Sequence, residues 1–130
     1  MRMRIALLLS LAFVFTLFAE GLAGTYKGTY SGSSGASGDI QVTLKQADSG
    51  EWKSEVTFTL GGEDVKTKIT SVSVEGVKVK IVYEFEVDGN GLESTITGEL
   101  KGTTLAGEYH TRTVGDGSAV DDGTWKGSQS

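Results

Sequence analysis

The chain has 130 residues, with no cysteine or proline, 19 glycines, one histidine and 17 acidic against 12 basic residues, a formal charge of −5. That length allows one small domain. The missing cysteines exclude a disulfide framework and thiol catalysis, and the acidic balance argues against nucleic acid and anionic membrane surfaces, which attract basic proteins through counterion release.

The first element is a leader. MRMR is followed by an uncharged run of 14 residues, Ile5 to Phe18, and then by small residues at Ala19 and Ala23. A basic start, an apolar centre and a small-residue zone make a secretory signal peptide. The run is shorter than the roughly 20 apolar residues that span a bilayer. Cleavage after Ala19 or Ala23 fits, with Ala23 preferred because GTYKG then opens the domain. The expectation is a signal peptide over residues 1–23 and a single β domain over residues 24–130, secreted or periplasmic, with no membrane attachment after cleavage. Removing 1–23 takes away Arg2, Arg4 and Glu20, leaving 10 basic and 16 acidic residues.

Everything after the leader alternates with period 2, the pattern of half-buried strands. Gly24 to Ser31 places Tyr26 and Tyr30 on one face, and GSSGASG follows as a loop. Asp39 to Ala47 points Ile40, Val42 and Leu44 inward, and Asp48 to Gly50 turns the chain. Glu51 to Leu60 carries Trp52, Ser54, Val56, Phe58 and Leu60 on its core face, ending at Gly61 and Gly62. Val65, Thr67 and Ile69 are in phase, but Val72 and Val74 are not, so a bulge or a strand break is required between Ile69 and Val72. Val77, Val79, Ile81, Tyr83 and Phe85 form the strongest inward run, and DGNG at Asp88 to Gly91 reverses it. Leu92, Ser94, Ile96, Gly98 and Leu100 face inward next, then Leu105, Gly107, Tyr109 and Thr111. A polar loop over Val114 to Asp122 leads to the closing GTWKGS.

This gives about eight strands with short connections, hence an all-β, antiparallel up-and-down meander closed into a barrel, with a two-sheet β-sandwich as the alternative. The near-repeat of GTYKG (Gly24 to Gly28) and GTWKG (Gly123 to Gly127) marks first and last strands as neighbours. Tyr26 and Trp125 then plug one end, and the glycines allow sharp bending. With the opening Gly-x-Tyr-x-Gly, the run of amphipathic hairpins and the closing LAGEY and GTWKG, the chain resembles small secreted β-barrel modules of the calycin or lipocalin-like type over most of residues 24 to 128. Tyr26 stands where lipocalins carry the Trp of Gly-x-Trp, and a Thr-Asp-Tyr motif is lacking. The resemblance implies a barrel that holds an apolar molecule.

Residues that do chemistry are scarce, and no enzyme, cofactor or metal is expected. His110, the only histidine, sits on an outward phase between Glu108 and Arg112, as a solvated strand residue. One histidine without cysteines cannot make a zinc site. GSSG at Gly32 to Gly35 lacks the spacing and the strand-to-helix context of a nucleophile elbow. Glu84, Glu86, Glu93 and Glu99 read as cross-strand partners of Lys78 and Lys80 rather than as a hydrolytic pair. The acidic stretches at Asp88 to Asn90 and Asp116 to Asp122 read as turns rather than calcium loops.

The inward list is the informative part. Ser54, Thr67, Ser94, Gly98, Gly107 and Thr111 alternate with Trp52, Phe58, Tyr83, Phe85 and Tyr109. Small residues among rings either complete a packed core or line a mostly apolar pocket with a few orienting hydroxyls. The leading expectation is a non-enzymatic exported barrel binding a small, largely apolar ligand in its interior, or a partner at its loop end. Its interior residues would be Trp52, Ser54, Phe58, Tyr83, Phe85, Ser94, Tyr109 and Thr111. The alternative is a filled interaction module meeting a protein or glycan through its outer face. An interior void above about 300 Å³, the lower end for ligand pockets, would favour the first.

Overall fold

The structure, a computed structural model, describes residues 21–130. The expected leader lies outside the described residues except for Gly21, Leu22 and Ala23. Nine strands follow one another: β1 Gly24–Gly32, β2 Ser37–Gln46, β3 Trp52–Leu60, β4 Glu63–Lys66, β5 Lys68–Glu75, β6 Lys78–Val87, β7 Asn90–Lys101, β8 Thr104–Thr113 and β9 Ala119–Gln129. They form one continuous sheet in the order β4-β3-β2-β1-β9-β8-β7-β6-β5. The meander is as expected, and a single curled sheet replaces the two-sheet alternative. Among the described residues no helix is long and apolar enough to cross a membrane.

Alternation places the strands and turn chemistry sets their register. Between β6 and β7, Val87 pairs with Asn90 across a two-residue turn whose Asp88 and Gly89 both have positive φ, 52° and 80°. That combination makes the type I′ turn whose twist matches antiparallel strands. The phase slip after Ile69 is a register shift between Ile69 and Ser71 on β5, and the bulge returns Val72 and Val74 toward the interior.

Two expectations need correction. The segment counted as one strand divides at Thr67, so there are nine strands, not eight. β4 pairs only with β3, and β5 only with β6. The hydrogen-bonded barrel is consequently incomplete. Its two edges are consecutive in sequence, and β3 approaches β5 across the opening without a ladder. One side-chain bond bridges it, from the Thr67 hydroxyl to the Val56 carbonyl at 2.6 Å. Charged residues stand along these edges, Glu63, Asp64 and Lys66 on β4 and Lys68 on β5, a common way to keep unpaired strands from joining other chains.

The chain ends do meet. β1 pairs with β9 from Tyr26↔Gln129 to Gly32↔Gly123, with Gly28 opposite Gly127. Tight coiling brings backbones together at these positions. A Cβ on Gly28 would sit 1.8 Å from the Lys126 carbonyl oxygen, and one on Gly107 would sit 1.9 Å from that of Thr97. No side chain fits there.

The core divides along the strands into two ends. At one end Leu22, Tyr26, Val42, Leu44, Leu105 and Trp125 are almost fully buried. The Tyr26 hydroxyl donates to the Leu22 carbonyl at 2.7 Å, and the Trp125 indole donates to the Thr97 carbonyl at 2.9 Å. These are the two rings expected to plug one end. Toward the other end the same strands present Tyr30, Ile40, Phe58, Tyr83, Ser94, Tyr109 and Thr111.

Candidate ligand-binding pocket

At this second end the interior is not filled. A cavity of about 180 Å³ lies among Tyr30, Phe58, Tyr83, Phe85 and Tyr109, with Ile40, Leu60, Val87 and Leu92 completing its apolar wall. The rings hold one another edge to face. Tyr30 meets Phe58 at 5.7 Å and 87°, and Tyr109 at 5.8 Å and 83°; Phe58 meets Phe85 at 5.0 Å and 83°. T-shaped pairs at these separations are the favoured aromatic geometry. Register explains the assembly, because Tyr83, Ser94 and Thr111 pair in sequence across β6, β7 and β8, and alternation sends all three side chains inward.

Polar groups in the wall are few. Ser94 and Thr111 hydroxyls share a buried hydrogen bond of 2.5 Å. The Tyr109 hydroxyl donates to Asp121 Oδ2 at 2.7 Å, while Asp121 Oδ1 accepts from the Ser34 amide at 3.0 Å. The Tyr30 hydroxyl donates to the Thr59 carbonyl at 2.6 Å. Burial pushes the Tyr83 phenol up to about 12, against an opposing hydrogen bond with Ser94. Tyr109 is raised further by burial, by its bond to Asp121 and by that carboxylate's charge. Burial favours a neutral Asp121, but the bonds from Tyr109 and Ser34 together outweigh it and hold the carboxyl below its ordinary value. At neutral pH the rim carries one anion beside neutral phenols.

Of the eight residues expected to line a pocket, Phe58, Tyr83, Phe85, Ser94, Tyr109 and Thr111 share this cavity. Trp52 and Ser54 do not. They lie on the same inward face of β3, but Ser54 is four residues from Phe58, about 13 Å along an extended strand, and pairs with Leu44 at the filled end. Trp52 is half-buried against the core margin. The buried Ser54 hydroxyl has no hydrogen-bond partner among the described residues.

The wall also contains Ser34, Ala36, Val120 and Asp121, which lie in or beside segments read from sequence as loops. The expected loop over Val114 to Asp122 is shorter, because β9 starts at Ala119. The parity of Trp125 and Gly123 extends to Asp121, so alternation traced backward from the closing motif reaches the rim carboxylate. Asp116 remains in the turn, taking hydrogen bonds from Thr113 and from the amide and hydroxyl of Ser118. His110 is exposed, its Nδ1 2.7 Å from Asp122 Oδ1.

The cavity continues into an open groove along the unpaired edges. Leu60, Phe85, Val87 and Leu92 belong to both, and Val65, Val114 and the charged side chains of β4 extend the groove. Val114 and Val120, the large apolar side chains left exposed, stand near this mouth.

No protein-family model matches the chain. No curated protein matches it. Among solved structures it is similar to EF1p2_mFAP2b bound to DFHBI, with a TM-score of 0.66 and 14% identity over 87% of this chain and 97% of that one. The likeness is one of fold, an all-β antiparallel sheet strongly curled into an incomplete barrel.

Proposed function

We propose that the chain is an exported, non-enzymatic binding protein that holds a small, largely apolar molecule at the unfilled end of its barrel. The observation that carries this reading is the cavity itself, enclosed by five aromatic rings and carrying two buried hydroxyls. Hydrophobic walls with a few placed polar groups are the usual composition of small-molecule sites. EF1p2_mFAP2b, bound to DFHBI, supplies support from fold. Kinship with calycin or lipocalin-like barrels belongs to the same proposal, supported by the buried Tyr26 of the first strand beside the last strand.

Volume limits the guest. At about 180 Å³ the cavity falls below the roughly 300 Å³ of ordinary ligand pockets, although an apolar cavity of about 150 Å³ suffices for benzene. A guest of one ring fits inside, and a larger one extends into the edge groove. The small volume is also what favours the alternative reading, a filled interaction module using its outer face.

Native mass spectrometry of protein from its own host, followed by extraction and identification of any adduct, distinguishes the two. A stoichiometric apolar guest that is lost in Ser94→Leu supports the binding protein. Repeatedly empty preparations would reject it and favour a protein or glycan partner on the outer face.

A further inference from the structure

The hydroxyls of the cavity wall have protons to place, and their number has a chemical consequence. Tyr109 spends its proton on Asp121 and Tyr30 spends its own on the Thr59 carbonyl. That leaves Ser94 and Thr111, 2% and 7% exposed, bonded to each other. Each hydroxyl has a single proton to donate. Two hydroxyls can be joined by one bond, so whichever way the pair is oriented one O–H is left over. Among the described residues no carbonyl takes it. Both Ser94 and Thr111 line the cavity, and a buried donor without an acceptor is costlier than an acceptor with a spare lone pair.

We propose that the guest is a neutral, single-ring-sized molecule bearing one hydrogen-bond acceptor, a carbonyl or ether oxygen, which takes the spare proton of the Ser94–Thr111 pair. This deepens the binding reading above and rests on it. The five rings select an apolar body, the pair selects the acceptor, and the Asp121 carboxylate at the rim selects against anions. A hydrocarbon of the same shape leaves the donor unmet, the situation in which a polar site discriminates against an isostere.

The test is a titration of the protein with acetophenone, ethylbenzene and benzoate, followed by calorimetry or by shifts in the aromatic NMR signals. Acetophenone is expected to bind about tenfold more tightly than ethylbenzene, a difference of about 1.4 kcal/mol, and benzoate more weakly than either. In the double variant Ser94→Ala, Thr111→Val the ketone preference should fall to within about twofold, with retained ethylbenzene binding proving that the variant is folded. The infrared carbonyl stretch of acetophenone bound to the unaltered protein should lie below its position in hexane, a measurement that needs no variant. Equal binding of ketone and hydrocarbon, or an unshifted stretch, overturns the acceptor assignment and leaves the binding reading intact. Benzoate binding as tightly as acetophenone overturns the selection for neutral guests. If neither acetophenone nor ethylbenzene binds, the binding reading falls with it.

Discussion

The two ends of the barrel are made from the same strands and the same kind of residue, yet one is solid and the other hollow. At the solid end Tyr26, Leu44 and Leu105 have no exposed surface, and Trp125 lies over Gly98, where a Cβ would come within 2.9 Å of the indole. Small residues there are spaces already taken by rings. At the hollow end Tyr109 likewise lies against Gly32 and Gly123, but its ring and those of Tyr30, Phe58 and Phe85 meet edge to face and leave space between them. The same mixture of large and small side chains therefore gives a packed core or a pocket according to how the rings meet one another, since glycines seat rings at both ends.

Truncating one ring at each end is the largest test of that contrast. Trp125→Ala should cost about 3–5 kcal/mol in urea unfolding, as deletions of large rings from filled cores do, and it also leaves the Thr97 carbonyl without its donor. Phe85→Ala should cost only about 1–2 kcal/mol, because the ring is partly exposed and already borders space. Equal losses would mean that the cavity end is packed in solution.

A smaller effect tests where the solid end begins. Leu22 is 2% exposed, its carbonyl accepts the Tyr26 hydroxyl, and Gln129 Nε2 donates to the Gly21 carbonyl at 2.8 Å. Leu22→Ala should lower stability by about 2–3 kcal/mol, and a chain starting at Gly24 should be destabilised comparably relative to one starting at Glu20. If the leader is removed on export, this packing favours the cut after Ala19 over the sequence preference for Ala23. The mass of the exported protein decides between them.

What could be read in the sequence follows from what sets each feature. Strand faces and turns were legible because period-2 alternation and Gly or Asp-Gly turns are local signals, and the bulge after Ile69 was visible as a broken phase. The break at Thr67 was not, because Val65, Thr67 and Ile69 keep perfect alternation while their partner changes from β3 to β6. Partner exchange is a tertiary event that leaves no mark on parity. Phe58, Tyr83, Phe85, Ser94, Tyr109 and Thr111 line the cavity while Trp52 and Ser54 lie away from it: alternation tells which face a side chain takes, but not how far along the barrel axis it lies. Asp121 was passed over because an acidic, glycine-rich stretch reads as loop, although its parity with Trp125 marked it as inward.

Burial of the cavity wall also has an electrostatic consequence in alkali. The Tyr83 phenol in the cavity wall is raised from an ordinary value of 10 to about 12 by burial, so between these values the unfolded chain releases a proton that the folded chain retains. With fewer protons on the unfolded state, stability falls as pH rises. The contribution is fully present below pH 10 and is lost progressively toward pH 12. Tyr83→Phe should therefore flatten the decline in urea midpoint between pH 10 and 12, measured against the parent protein, while leaving the slope at pH 6 to 8 unchanged. An unflattened decline would mean that the Tyr83 hydroxyl meets water freely, and a cavity open to that degree would not hold the Ser94 and Thr111 hydroxyls away from solvent as selection for an acceptor-bearing guest requires.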